Sequence, residues 1–236
     1  MTKITSGTKE WADTNVNLYH GCSNNCSYCY AKKMAIRFGR KTEDTWRYMV
    51  LNEKAFRKGY GKRKGRIMFP TSHDITPDTY GMCSSVLRKL LRAGNDVLIT
   101  TKPSLSCVED ICKEFKPYKD LIQFRFTITS QNDETLKKFE PGAPLYLERM
   151  EALIHAFNEG WKTSVSIEPF LDMSPIPLIF CVSLYSTESI WVGKLNYMQT
   201  KFNTKENVKQ VVNDIGRIPA PILEKVRLKD SIRDLW

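Results

Sequence analysis

The stretch "NLYHGCSNNCSYCYAKK", residues 17–33, sets Cys22, Cys26 and Cys29 in a C-x3-C-x2-C pattern within eight positions. Thiolates ligate zinc ions and iron–sulfur clusters. A closed zinc site takes four protein ligands, and His20, two residues upstream, offers a Cys3His set. Against zinc, the three thiols share one short loop and no second cysteine knuckle follows. Three inert core cysteines would sit oddly beside Asn24, Asn25 and Ser27. On a four-iron cluster, three thiolates leave one iron open to a substrate or cofactor. The residues alone keep zinc and cluster both in play.

Such a loop needs a scaffold, and the chain reads as alternating β and α segments. The strands expected are Val16–Tyr19, Arg66–Phe69, Val97–Thr101, Ile122–Thr129, Thr163–Ile167 and Ser189–Val192. Helical patterns fall near Ala31–Phe38, Thr79–Ala93, Ser106–Phe115, Tyr146–Glu159 and Lys205–Asp214. Residues 172–188 stay ambiguous because their prolines resist a simple helix. The alternation predicts an α/β fold, a partial (β/α)6 TIM-like barrel, and an open doubly wound sheet shares the pattern. In either, chemistry gathers at the C-terminal ends of parallel strands. Polar residues follow all six: the cysteine loop, "PTSHD", "KPS", "SQND", "EP" and "KLN".

At 236 residues, 42% hydrophobic and 26% charged, the chain suits one domain over 1–236, with 215–236 as a C-terminal extension. No apolar run reaches the roughly 18 residues of a membrane span, and no signal-peptide core opens the chain. The expected setting is cytoplasmic, away from any membrane, with the seven cysteines reduced. A net charge of +10 favours a polyanionic partner, DNA or RNA, with a generic lysine-rich surface as the alternative.

The C-x3-C-x-aromatic-C pattern after a first strand resembles the radical S-adenosylmethionine (SAM) superfamily. "GCSNNCSYCYA" is most similar to its spore photoproduct lyase-like branch. The likeness continues in order through "VLITTKP", "FRFTITS", "KFEPGAP" and "VSIEPF", covering roughly residues 11–170. The resemblance implies the radical SAM type of barrel. It implies that Cys22, Cys26 and Cys29 hold a 4Fe–4S cluster whose open iron takes S-adenosyl-L-methionine, and a reductase, flavodoxin or ferredoxin as electron donor. It puts Tyr28 against the adenine, Lys102 at the SAM carboxylate and Ser130 at the sugar or methionine part. Ser72 and Asp74 become candidates for the SAM amino group, and Glu168 for adenine, ribose or substrate. His73 and His155 carry little signal. Cys83, Cys107, Cys112 and Cys181 read as structural thiols.

One departure bears on activity. Lyases of that branch carry a hydrogen-donating cysteine just before the Thr-Ser-Asp segment, and here Pro70 stands there. Cys181 is the substitute donor considered. Radical initiation is the expectation, with DNA repair or base modification as the outcome. A peptide or small-molecule substrate, or a non-catalytic zinc-binding nucleic-acid module, are the alternatives. The segment 53–66, "EKAFRKGYGKRKGR", carries seven basic residues against Glu53. It is expected near the barrel rim, with Lys62, Arg63 and Lys64 on the nucleic-acid backbone.

Overall fold

The computed structural model describes residues 7–233. β1 (Thr14–Asn15) begins the sheet, and the chain then leaves it for a short antiparallel pair, β2 (Tyr19–His20) with β3 (Val50–Leu51). Between that pair run the cysteine loop and α1 (Tyr30–Arg37), and α2 (Glu53–Arg57) follows it. Next come β4 (Ile67–Phe69), α3 (Tyr80–Arg92), β5 (Val97–Thr101), α4 (Leu105–Glu114) and β6 (Ile122–Thr127). Two helices, α5 (Asp133–Phe139) and α6 (Tyr146–Asn158), lead to β7 (Lys162–Ile167), α7 (Ile176–Ser183) and β8 (Ile190–Val192). The chain closes with α8 (Lys205–Ile215), α9 (Ala220–Leu223), β9 (Val226–Leu228) and α10 (Asp230–Arg233).

Strands β1, β4, β5, β6, β7, β8 and β9 pair in that order, every neighbour parallel. The sheet curls into the expected half-barrel, with all its strand C-termini on one rim. Period-two alternation sets its two faces. On β6, Phe124 and Phe126 stack at 5.2 Å and pack toward Trp161 among the helices. Gln123 and Arg125 lie on the opposite, concave face, where both donate to Ser164 Oγ at 3.1 and 3.2 Å.

Three departures from the expected elements stand out. The first strand ends at Asn15 rather than Tyr19. Asn17 caps the rim instead, accepting from the Thr71 and Ser72 backbone N–H groups at 2.7 and 2.9 Å. The ambiguous 172–188 stretch contains α7, with Pro175 as its N-cap and Pro177 in its first turn, where a missing N–H does no harm. A seventh strand, β9, lies within the segment expected as an extension and pairs with β8.

Residues 7–13 cross between the two edges of the sheet. Asp13 donates its N–H to the Arg66 carbonyl at 3.1 Å, beside β4. At the other edge Lys229 Nζ reaches the Gly7 carbonyl at 2.8 Å, and Glu10 pairs with Lys229 and Arg233. Trp11 thereby enters the concave face, 5.9 Å from Trp191 and under the Arg125 guanidinium at 4.6 Å. No helix among the described residues is long and apolar enough to cross a membrane.

Candidate metal and cofactor centre

Close approach of backbone to backbone fixes the cysteine loop at both ends. Gly21 has φ +102°, and a Cβ there would lie 2.5 and 2.6 Å from the Tyr48 and Trp46 carbonyls. Cys22 N–H donates to the Trp46 carbonyl at 3.0 Å. Two successive turns follow, Asn25 N to Cys22 O and Cys29 N to Cys26 O, both 3.2 Å. Asn25 takes φ +45°, a conformation that asparagine tolerates. Cys29 is the N-cap of α1, its sulfur accepting from Lys32 N at 3.4 Å. From the other side, the 139–142 turn clamps the loop: Ser27 N to Phe139 O at 2.9 Å and Gly142 N to Asn24 O at 3.1 Å. Any side chain at Gly142 would collide with the Ser23 carbonyl.

Burial raises the Cys22 and Cys26 thiols, Cys26 to about 12 even with Lys102 pulling it down. A metal must therefore displace their protons. Among the described residues no three His, Cys, Asp or Glu side chains converge as a single-ion site. A cubane attaches its thiolates to separate irons and does not need that convergence. Trp46 packs on Cys22 while its buried indole N–H lacks a partner, a donor that the sulfur edge of a cluster would satisfy. The donor set and this orphan N–H both fit a 4Fe–4S cluster.

Two buried carboxylates organise the rim beside the cysteines. Asp74 accepts from Asn24 Nδ2 at 2.7 Å, Ile75 N at 2.8 Å, Lys102 N at 2.9 Å and the Thr101 hydroxyl. Four donors fill the carboxylate's lone pairs, so Asp74 ties the cysteine loop to the ends of β4 and β5. Those contacts engage the carboxylate expected at the SAM amino group within the chain itself. Ser72, half-buried next to it, has its N–H on Asn17 and lines a concavity with His20 and Trp46. His73 is a neutral linker, accepting from Leu18 N at 2.9 Å on Nε2, and burial lowers its pKa to about 4.

Glu140, which the sequence reading did not single out, is the second carboxylate. It accepts from Arg149 Nη2 at 2.5 Å, Thr129 Oγ1 at 2.9 Å and the Tyr28 hydroxyl. Arg149, equally unflagged, has a fully buried side chain and also donates to the Pro144 and Thr127 carbonyls at 2.7 and 3.3 Å. The signal for Glu140 lay in "KFEPGAP"; nothing marked Arg149 within an ordinary helical pattern. Lys102 Nζ stands 3.9 Å from Glu140 and 5.7 Å over the Tyr28 ring. Burial opposes its charge, yet the neighbouring Cys26, Glu140 and Asp74 carry its pKa upward. Tyr28 and Lys102 thus meet in one network directly behind Cys26.

The remaining expected residues divide. Ser130 is buried, donating to Asp172 Oδ1 at 2.6 Å and accepting from Asn132 N at 2.9 Å. It ties the turn after β6 to the segment after β7, and Asn132 caps α5. Glu168 sits at the β7 end of the rim, 3.8 Å from Lys229 Nζ, and accepts no hydrogen bond among the described residues. Burial raises its pKa to about 7 against the opposing pull of Lys229. Cys181 lies on α7, contacted by Gln131 Nε2 at 3.5 Å, and not at a strand end as its suggested role required.

The basic loop is at the wrong end for its expected role. Residues 58–66 immediately precede β4 and so lie at the strand N-termini, opposite the cysteines. Arg63 N donates to Asn95 Oδ1 at 2.7 Å and its guanidinium to Thr14 Oγ1 at 3.3 Å, while Lys62 reaches the Gly94 carbonyl. Only Lys64 of the three is exposed without a contact of this kind. The expected placement near the rim is corrected.

Known proteins share this fold. The solved structure of Streptococcus suis SuiB bound to S-adenosylmethionine aligns with a TM-score of 0.54 at 10% identity, over 92% of this chain and 46% of that one. Spore photoproduct lyase complexed with dinucleoside spore photoproduct aligns at 0.51 and 17% identity, over 92% of this chain and 65% of that one. At such identities the likeness is one of fold. The uncharacterized protein ORF301 of Acidianus two-tailed virus is 30% identical over 172 residues, 67% of this chain, which spans 55% of that relative's length. The sequence model of the Radical SAM superfamily matches residues 16–171, from just after β1 through the β7 rim. The chain belongs to the radical SAM superfamily of enzymes.

Proposed function

We propose that this chain is a radical SAM enzyme acting on a nucleic acid, in repair or base modification, with 1–236 working as one domain. The observation that carries the reading is the triple-cysteine loop, clamped by the 46–48 and 139–142 segments against Lys102. When bound, a 4Fe–4S cluster and S-adenosyl-L-methionine together supply one-electron cleavage to methionine and a 5′-deoxyadenosyl radical that takes hydrogen from the substrate.

Cys22, Cys26 and Cys29 hold the cluster. Lys102, kept charged beside Cys26, meets the SAM carboxylate through a charge-assisted hydrogen bond. Tyr28, its hydroxyl on Glu140, presents its ring at the adenine, and Ser72 lies near the amino group. Asp74 and Ser130 act by fixing the rim rather than by touching the cofactor. Glu168, with acceptor capacity to spare, contacts ribose, adenine or substrate. The electron donor is a reductase, flavodoxin or ferredoxin. The spore photoproduct lyase likeness and the +10 charge support a nucleic-acid substrate. Pro70 supports a hydrogen route other than that branch's cysteine.

Anaerobic reconstitution tests the reading. The expected result is about four irons and four sulfides per chain, with 5′-deoxyadenosine formed from SAM under reductant. Deuterium should pass into that product from labelled DNA or RNA. A colourless protein with one zinc and no 5′-deoxyadenosine overturns it, and deuterium transfer only from a peptide or small molecule overturns the substrate class.

A further inference from the structure

Five large aromatic side chains are prominently exposed among the described residues, and four lie on one face: Tyr30 (56%), Phe38 (61%), Tyr48 (56%) and Tyr197 (64%). The fifth, Phe180, is on α7. Three of the four have a cation beside the ring. Arg37 and Arg40 flank Phe38 at 5.8 and 5.6 Å, Arg47 covers Tyr48 at 4.9 Å, and Lys33 covers Tyr197 at 5.5 Å. Tyr30 and Tyr197 pair at 5.8 Å, joining the start of α1 to the loop after β8.

Of these rings, Tyr30 opens onto a concavity of about 240 Å³. Tyr30, Arg40, Lys41 and Trp46 line it. Phe38 is reached through Arg40, and Tyr48 through Lys41, whose Nζ donates to the Tyr48 carbonyl at 2.9 Å. Residues 30–48 hold six cations and two acids, and one acid, Glu43, is paired with Lys32 at 2.6 Å. The face is therefore strongly positive, and it begins one residue after Cys29.

We infer that this face binds single-stranded nucleic acid, with one base in the concavity and its neighbours stacked on Phe38, Tyr48 and Tyr197. Exposed rings alternating with cations are the arrangement that accepts unpaired bases and their phosphates. A duplex keeps its ring faces inside the stack and cannot use them. The surface deepens the nucleic-acid reading above and rests on it for its meaning. It moves the contact from Lys62, Arg63 and Lys64, at the far end of the barrel, to the end that carries the cysteines.

Fluorescence anisotropy with a fluorescein-labelled dT15 oligonucleotide on the reconstituted chain tests the assignment. The F38A/Y48A double variant should bind at least tenfold more weakly, since each stacked base contributes about 1–3 kcal/mol, or roughly 5- to 150-fold. R40E/K41E should flatten the salt dependence by a slope of about 1.4, two contacts at about 0.7 each. K62E/R63E/K64E should bind within twofold of the parent. Circular dichroism checks that each variant is folded. Three results overturn the proposal: parent-like binding by folded F38A/Y48A, tighter binding of a dT15:dA15 duplex, or no oligonucleotide binding at 50 mM salt. Binding of an acidic flavodoxin instead, lost in R40E/K41E, assigns the face to a protein partner. SAM cleavage without oligonucleotide is read in parallel. Cleavage with no binding sinks the surface alone; binding with no cleavage sinks the radical reading and leaves the surface standing.

Discussion

The two halves of the rim handle buried charge differently. On the β4–β6 side, Asp74 and Glu140 each gather three or four donors, and every neighbouring cation has a carboxylate within reach. On the β7–β9 side, the half-buried Glu168 accepts no hydrogen bond among the described residues, and Lys229 serves two carboxylates. A buried polar group without a partner is expensive to keep. The filled half is built to stay fixed around the cysteines. The unfilled half retains capacity for something that arrives later.

Breaking the filled half should have the largest effect. Arg149→Ala takes from buried Glu140 its closest cation and leaves only Lys102 at 3.9 Å, a loss of about 3–5 kcal/mol. Urea unfolding followed by circular dichroism should show it; a loss below about 1 kcal/mol would mean that water or Lys102 reaches Glu140 freely.

The unfilled half predicts a pH signature. Glu168 titrates near 7 when folded, above its unfolded value, so the native state holds the extra proton. Its contribution is complete below about pH 4 and disappears as pH rises through about 7. Lys229, Asp230, Glu10 and Arg125 are the charges facing it. Glu168→Gln should flatten this decline, and a shift of that size corresponds to roughly 3 kcal/mol at most. Parallel pH–stability curves for parent and variant would contradict the picture.

Asp74→Asn swaps two acceptor oxygens for one and turns an amide N–H₂ toward existing donors. A loss of about 2 kcal/mol is expected, read as a lower melting temperature, with reduced iron uptake because Asn24 no longer anchors the cysteine loop. Unchanged iron content at a lowered melting temperature would separate the two roles. The smallest effect belongs to Lys64→Ala, exposed and far from the rim. Stability should stay within about 0.5 kcal/mol and SAM cleavage should not change.

What could be read in the sequence follows from how local each signal is. Strands such as Val97–Thr101 are short β-rich runs whose pairing needs no distant information, and the cysteine spacing is local too. Asp74 is opaque by contrast: its donors come from residues 24, 75, 101 and 102, and only the fold collects them. Arg149 looks like any charged residue in an amphipathic helix until its partner on another segment is known. β9 is three residues with Arg227 at its centre, too short for a periodic signal. The misplaced basic loop is a different case. A segment that immediately precedes a parallel strand lies at the opposite end from one that follows it, so residues 62–64 could have been assigned from chain order alone.

The strap of residues 7–13 has a kinetic consequence. Its contacts to 229–233 join positions 220 to 223 apart in sequence. Contacts of such separation require the largest loop closures in the molecule and form late. The strap should therefore be the last element to dock and the first to exchange amide protons. Trp11 rides on it, so its fluorescence would time the sealing of the concave face, after the cysteine loop has already taken shape.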